Sequence, residues 1–231
     1  MLVYSLLLFG VIAALLVLSR VCARCCPPDE VRTVGDRMGD RRALRVSGDA
    51  IGLRGENMMR HCLDDRLDPN EYVVLHDVML PGYNGMPTQI DHIVVSRFGI
   101  FVIEMKNYSG EIRLKGNRWH KGGTGRDLGD PIWQNAQHVR TVSRRMNIPE
   151  NLIEGLVAVS HRARFVGGLP RGVHVFHQVP NEICSRTRQV IKTEQVPEVV
   201  AAIRAWGAKV SPWERRHFVD IVKSRRRRRR I

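Results

Sequence analysis

The chain reads as an α/β domain on a short central sheet, and two observations say so. Runs of β-branched residues at 72–79, 90–95, 100–106 and 152–160 alternate with helical periodicity at 52–67, 130–146 and 196–206. Clusters of Pro, Gly and Asn fall between them, as turns require. With 231 residues, 43% of them hydrophobic, the chain can bury one good core. One globular domain with appendages is therefore expected.

The amino end differs in kind. Residues 2–19, LVYSLLLFGVIAALLVLS, carry no charge. At about 1.5 Å per residue, a helix of this run crosses most of a hydrocarbon core of about 30 Å. No Lys or Arg precedes it, whereas Arg20, Arg24, Arg32, Arg37, Arg41, Arg42 and Arg45 follow. The positive-inside rule predicts a single-pass transmembrane anchor at 1–20 with the carboxyl side in the cytoplasm. The alternative is a signal peptide cleaved after Ala23, although the basic leading region of such peptides is missing. Residues 21–47, rich in Arg, Asp, Gly and Pro, read as a basic juxtamembrane linker. The domain is expected to occupy 48–218, with an arginine-rich tail at 219–231.

The five cysteines do not form a disulfide framework, being odd in number and expected on a cytoplasmic face. Cys22 and Cys25 have CxxC spacing without a second pair, so zinc is not indicated. Cys62 and Cys184 read as core.

Within the domain, residues 52–67 place Met58, Met59, Cys62, Leu63 and Leu67 on one helical face. Residues 72–79 read as a strand, 81–87 as a loop, and 90–95 and 100–106 as strands around the hairpin signal SRFG. A further strand is expected over 111–119, then a Gly-rich loop. Asp130 and Pro131 form an N-cap and first-turn pair for a helix to about 146. Residues 152–160 and 172–179 read as strands, and 196–206 as a helix.

Three charges interrupt this pattern: Asp91 opens one strand, and Glu104 and Lys106 close the next. With an even-length loop between the strands, cross-strand partners sum to 195 and Asp91 faces Glu104. Opposed residues hold their Cβ atoms about 4.5–5.5 Å apart on one face, and Lys106, two residues on, shares it. Two carboxylates so close repel unless something positive lies between them. A divalent cation of the Mg²⁺ kind suits hard oxygen ligands. A local salt bridge among the three residues is the other reading, and a three-residue loop ending at Gly99 would slip the register.

The order Asp, strand, Glu-x-Lys resembles the signature of the PD-(D/E)xK nuclease superfamily. More narrowly, GEN, TQIDHIVVS, GIFVIEMKNYSG and DPIWQ resemble, in order and wording, the nuclease-related domain (NERD) family, over roughly 55–146. Ile90 stands where the superfamily name has proline. The resemblance implies a restriction-endonuclease-like mixed central sheet flanked by helices, and a Mg²⁺- or Mn²⁺-dependent phosphodiesterase acting on nucleic acid, DNA foremost. It implies Asp91 and Glu104 as metal ligands and Lys106 as the residue that orients or helps deprotonate water. Glu56 falls at the acid of the family's first helix; first-turn stabilisation of the helix dipole is its other reading. Gln134 falls where a family glutamine faces the site, and a surface amide is its other reading.

The charge points the same way. Thirty-seven Lys and Arg against 23 Asp and Glu give +14, of which Arg225 to Arg230 supply six, leaving +8 elsewhere. Such a body favours a polyanionic partner, nucleic acid or anionic lipid. Arg113, Lys115, Arg118, Lys121 and Arg126 follow the active strand, and Arg140, Arg144 and Arg145 the later helix. All eight are candidate phosphate contacts. Trp119 among them is either a base-stacking residue or core, and the arginine tail suits anionic lipid or nucleic acid. A membrane-tethered nucleic-acid-binding module without catalysis is the alternative function.

Overall fold

Nearly continuous apolar sequence from Gly99 to Met105 makes a strand that is buried on both faces, and the sheet is built around it. The computed structural model describes residues 48–82 and 86–228. The expected anchor at 1–20 and linker at 21–47 lie outside the described residues. Among those described, no helix is long and apolar enough to cross a membrane.

Helix α1 spans Gly48–Arg66. Strands β1 (Tyr72–Pro81), β2 (Pro87–Ser96) and β3 (Gly99–Lys106) follow as an antiparallel meander. The expected loop at 81–87 is short-circuited by pairing of Pro81 with Pro87. β4 (Gly110–Lys115), β5 (Arg118–Lys121) and β6 (Asp127–Gly129) come next, then helix α2 (Pro131–Met146). Asp130 caps α2 by accepting the Trp133 N–H, and Pro131 occupies its first turn, as the sequence predicts.

The second half contains β7 (Ile153–Val159), β8 (Ala163–Phe165), β9 (Val173–Val175), α3 (Val179–Cys184), α4 (Val196–Ala208) and α5 (Pro212–Arg228). The main sheet has the order β1-β2-β3-β7-β9. β3 pairs antiparallel with β2 and parallel with β7, so the sheet is mixed. A second sheet of order β6-β5-β4-β8 was not foreseen.

Each face of the main sheet has its own core. Met59, Cys62, Leu63 and Leu67 of α1 pack on Val94, Phe101, Ile103 and Met105. On the opposite face Ile93, Val95, Ile100 and Val102 meet Val142 of α2 and Val200 and Ile203 of α4. The small sheet rests Ile112 and Trp119 on Val157, Val159 and Val173.

Four expectations need correction. Residues 111–119 are two strands, because Gly116 adopts φ 57° and turns the chain at Gly116–Asn117. The strand expected to 179 stops at Val175, and Pro180 in a first turn starts α3 instead. Cys184 ends that short helix and is exposed, whereas Cys62 is buried. The ordered chain also passes residue 218. Ser211 and Glu214 bond each other's main-chain N–H groups, a capping box that starts α5, and the helix continues to Arg228.

Candidate active site

The two-residue turn Arg97–Phe98 fixes the register. Ser96 pairs with Gly99 and His92 with Ile103, so partners sum to 195 and Asp91 falls opposite Glu104. The backbone ladder ends just before that pair. In its place the Asp91 carboxylate accepts the Met105 N–H at 2.8 Å. On the other side, β1 interrupts its own ladder opposite Asp91. His76 and Val78 pair with β2 while Asp77 between them takes φ 52°, its carboxylate accepting from the Gln89 amide at 2.7 Å. Asp91 thus sits at a local break in both neighbouring ladders, where a polar side chain replaces β pairing.

Glu104 is the buried member of the pair, 3% exposed. Lys106 donates to its Oε1 and, at 3.1 Å, to Oε1 of Gln134. Gln134 Nε2 in turn donates to Glu104 Oε1 at 2.8 Å. The amide of Gln134 therefore clasps both members of the ion pair, and α2 supplies it. One turn further along α2, the buried His138 brings Nε2 to 3.2 Å from Glu104 Oε2, outside hydrogen-bond alignment, while Nδ1 contacts Thr88 Oγ1 at 3.1 Å. Among the described residues none donates an aligned hydrogen bond to Glu104 Oε2.

Asn135 seats this helix. Its Nδ2 donates to the carbonyls of Val102 and Leu156, both at 3.0 Å, pinning α2 across the β3–β7 junction. On the other side α1 crosses the end of β3. Gly55 lies against the Asn107 side chain, and Asn107 Nδ2 donates to the Ile51 carbonyl at 2.7 Å. That crossing brings Glu56 into the electrostatic field of Asp91.

These surroundings push the titratable groups apart. Burial, then the Glu104 charge, raises the Asp91 carboxyl well above the usual range. Burial also pushes Glu104 up, but Lys106 and His138 outweigh it and hold Glu104 below the usual range. Burial pushes the Lys106 ammonium down, yet Glu104 more than offsets this and its pKa is raised. Two carboxyls with displaced affinities for protons beside a fixed cation are an arrangement suited to chemistry on an anionic ester.

The proposed phosphate contacts divide. Register pairs Arg113 with His120 and Lys115 with Arg118, so Arg113, Lys115 and Arg118 share the outer face of the β4–β5 ribbon. Arg113 is ion-paired with Glu111 at 2.6 Å and Arg118 with Asp127, both exposed. Lys121 points to the other face and donates to the Ser109 carbonyl. Arg126 is exposed in the Gly-rich loop, and Arg140 and Arg144 are exposed on α2. Arg145 donates to the Pro81 and Gly82 carbonyls at 2.9 Å each and stacks on Trp206. Trp119 is wholly buried against Phe165, so it is core and no base reaches it.

His138 and Thr88 are residues that sequence reasoning missed. Their signal was spacing, since His138 lies four after Gln134 and so on the same helical face.

Against known proteins, residues 51–160 match the family model of the nuclease-related domain, NERD. An uncharacterised protein of Bacillus anthracis is 39% identical over 95 residues, covering 39% of this chain and 44% of that protein. The chain thus spans less than half the length of that relative. No solved structure matches. The segment 51–160, which holds Glu56, Asp91, Glu104, Lys106, Gln134 and His138, belongs to the nuclease-related domain family of the PD-(D/E)xK-like nucleases.

Proposed function

We propose that this chain is a membrane-anchored, metal-dependent nuclease that hydrolyses phosphodiester bonds of DNA on the cytoplasmic side. The observation that carries the reading is the convergence of Asp91, Glu104, Lys106 and Gln134 at the end of β3, at a break in the sheet.

The donor set fits a hard divalent cation. Asp91 and Glu104 offer carboxylate oxygens on one face, and among the described residues Glu104 Oε2 accepts no aligned hydrogen bond. Among the described residues no group of three His, Cys, Asp or Glu side chains is placed to hold a metal. Two protein ligands with water and phosphate oxygens completing the shell match the habits of Mg²⁺ and Mn²⁺. When bound, such an ion supplies a water of lowered pKa and neutralises charge on the phosphate.

The protein's own groups do the rest. Lys106, bonded to Glu104 and Gln134, orients or helps deprotonate water and stabilises developing negative charge. Gln134 holds that ammonium and Glu104 in fixed relation, which is pre-organisation. Glu56 adds a further negative charge beside Asp91, reinforcing a site for cations. Water oxygen bonds to phosphorus as one P–O ester bond breaks, leaving a phosphate monoester and a free hydroxyl.

Arg113, Lys115 and Arg118 bring DNA to the site. Exposed ion pairs are worth only about 0–1 kcal/mol, so Glu111 and Asp127 yield readily to phosphate. The uncharged run 2–19 supplies the anchor, and the terminal arginines suit anionic lipid or nucleic acid.

The test compares Mg²⁺-dependent cleavage of single- and double-stranded DNA by the full chain and by Lys106→Ala, with affinity measured alongside. Lys106→Ala is expected to abolish most cleavage and leave affinity and its salt slope nearly unchanged. Binding without cleavage in the parent chain would instead favour a tethered nucleic-acid-binding module. Protease added to sealed vesicles of either orientation tests the anchor, digestion being expected only when the cytoplasmic face is outward.

A further inference from the structure

Exposed bulky apolar side chains lie on the two helix starts next to the site. Ile51 and Leu53, 40% and 57% exposed, lie in the first turns of α1. Ile132 and Trp133, 40% and 62% exposed, lie in the first turn of α2. Both helix starts adjoin the end of β3. The Ile51 carbonyl accepts from Asn107, the residue after Lys106, and Gln134, the residue after Trp133, bonds Lys106 and Glu104. Exposed apolar groups thus flank the acidic cluster on two sides, where a soluble surface would be expected to carry polar ones.

Trp133 stands apart among them. Its main-chain N–H is tied to the Asp130 carboxylate at 2.9 Å, so the ring is presented from a fixed backbone. Trp119, by contrast, is wholly buried and offers a base no face. An indole face in water offers a stacking surface that every nucleobase fits, because all bases have a π-face. In a closed duplex those faces are hidden against neighbouring pairs; in an unpaired strand they are open. The phosphate attraction comes from the basic body, which carries +8 without its terminal arginines.

We propose that Trp133 is the stacking platform for an unpaired nucleobase of the strand whose phosphate enters the Asp91–Glu104–Lys106 cluster, so that the site takes single-stranded or frayed nucleic acid in preference to closed duplex. This rests on the nuclease reading above and adds the strand state of its substrate. Ile132 widens the platform, and Ile51 with Leu53 forms the opposite apolar rim.

The test is equilibrium binding of the full chain in detergent with EDTA present, so that no cleavage intervenes. The probes are a mixed-sequence single-stranded oligonucleotide and the same sequence closed into a hairpin duplex. Trp133→Ala is expected to lose roughly ten-fold or more in single-strand affinity and less than two-fold on the hairpin. Trp133→Phe keeps most of the parent's affinity, since a smaller aromatic face still stacks. Melting temperatures equal to the parent's show that both variants fold. Equal loss on both probes, an unchanged single-strand affinity, or a parent chain that prefers the hairpin overturns the proposal. So does an effect of Trp133→Ala on vesicle partition or self-association in place of DNA binding. Cleavage in Mg²⁺ is scored separately, so a chain that never cuts counts against the nuclease reading and leaves the stacking result to stand alone.

Discussion

Replacing Gly55 by alanine sets two effects against each other at the crossing of α1 and β3. Helix propensity favours the change, because alanine in a helix interior is better than glycine by about 0.8–1.0 kcal/mol. Packing opposes it. A Cβ at position 55 would stand 2.5 Å from Asn107 Cβ and 3.1 Å from its Cγ. Asn107 Cβ is one bond from the main chain, so no rotamer removes the clash. The helix must withdraw by about 1 Å to reach ordinary contact at ~3.5 Å. Overpacking of this kind costs about 1–3 kcal/mol. The difference is a net loss of about 1 kcal/mol, or about 2–4 °C in melting temperature for a domain of this size. Urea unfolding followed by circular dichroism measures it. Asn107→Gly in the same background removes the obstructing atoms, so the double variant should lose less than the sum of the two single changes. Glu56, one residue on, moves with the helix, and activity should fall more than stability. A Gly55→Ala chain as stable as its parent, or more so, refutes the close approach.

Asn135→Ala leaves the Val102 and Leu156 carbonyls without their α2 donor and is expected to cost about 2–4 kcal/mol in urea unfolding. The Asp77 backbone conformation makes valine, the better strand former, the worse substitution: Asp77→Val should destabilise by about 1–2 kcal/mol, while Asp77→Gly stays within about 1 kcal/mol of the parent by thermal melting. Burial, then the neighbouring His76, lowers His92 from 6.5 to about 3. Below pH 6.5 the unfolded chain therefore binds a proton that the folded chain refuses, and stability falls toward pH 3 by at most about 1.4 kcal/mol per unit. His92→Phe should flatten this part of a stability–pH profile, and an unchanged slope would show that His92 is protonated in the fold.

What could be read from the sequence was what period and parity encode. Asp91, Glu104 and Lys106 share a face because two-residue alternation meets a two-residue turn; the alternation is visible as residues, whereas the length of the turn is fixed only by the pairing of Ser96 with Gly99. The cap at Asp130 was legible for the same local reason. The distance from α2 to β3 was not, since it depends on Asn135 reaching two carbonyls far away in the chain. His138 was lost with it. The small sheet escaped notice because its strands are three to six residues long and cations cover its outer face. Even so, Arg118-Trp119-His120 alternates out, in, out, which marks Trp119 as core. Helix α5 was hidden by charge, and only the Ser211–Glu214 pair announced its start.

The turn at Arg97–Phe98 lies roughly 17 Å along the strand from Asp91, yet it governs what kind of fault the site can show. Were β3 to slip by one residue against β2, Glu104 and Lys106 would turn to the α1 side. Ile100 and Val102 would turn with them, exchanging places with Phe101, Ile103 and Met105, so both cores would have to be rebuilt. No intermediate offset exists between the two registers. In any variant of this hairpin, therefore, a molecule carries either the parent's complete site or none of it. Titration of competent molecules would fall while turnover per competent molecule held constant, and a bulk rate alone would mistake a change in number for a change in speed.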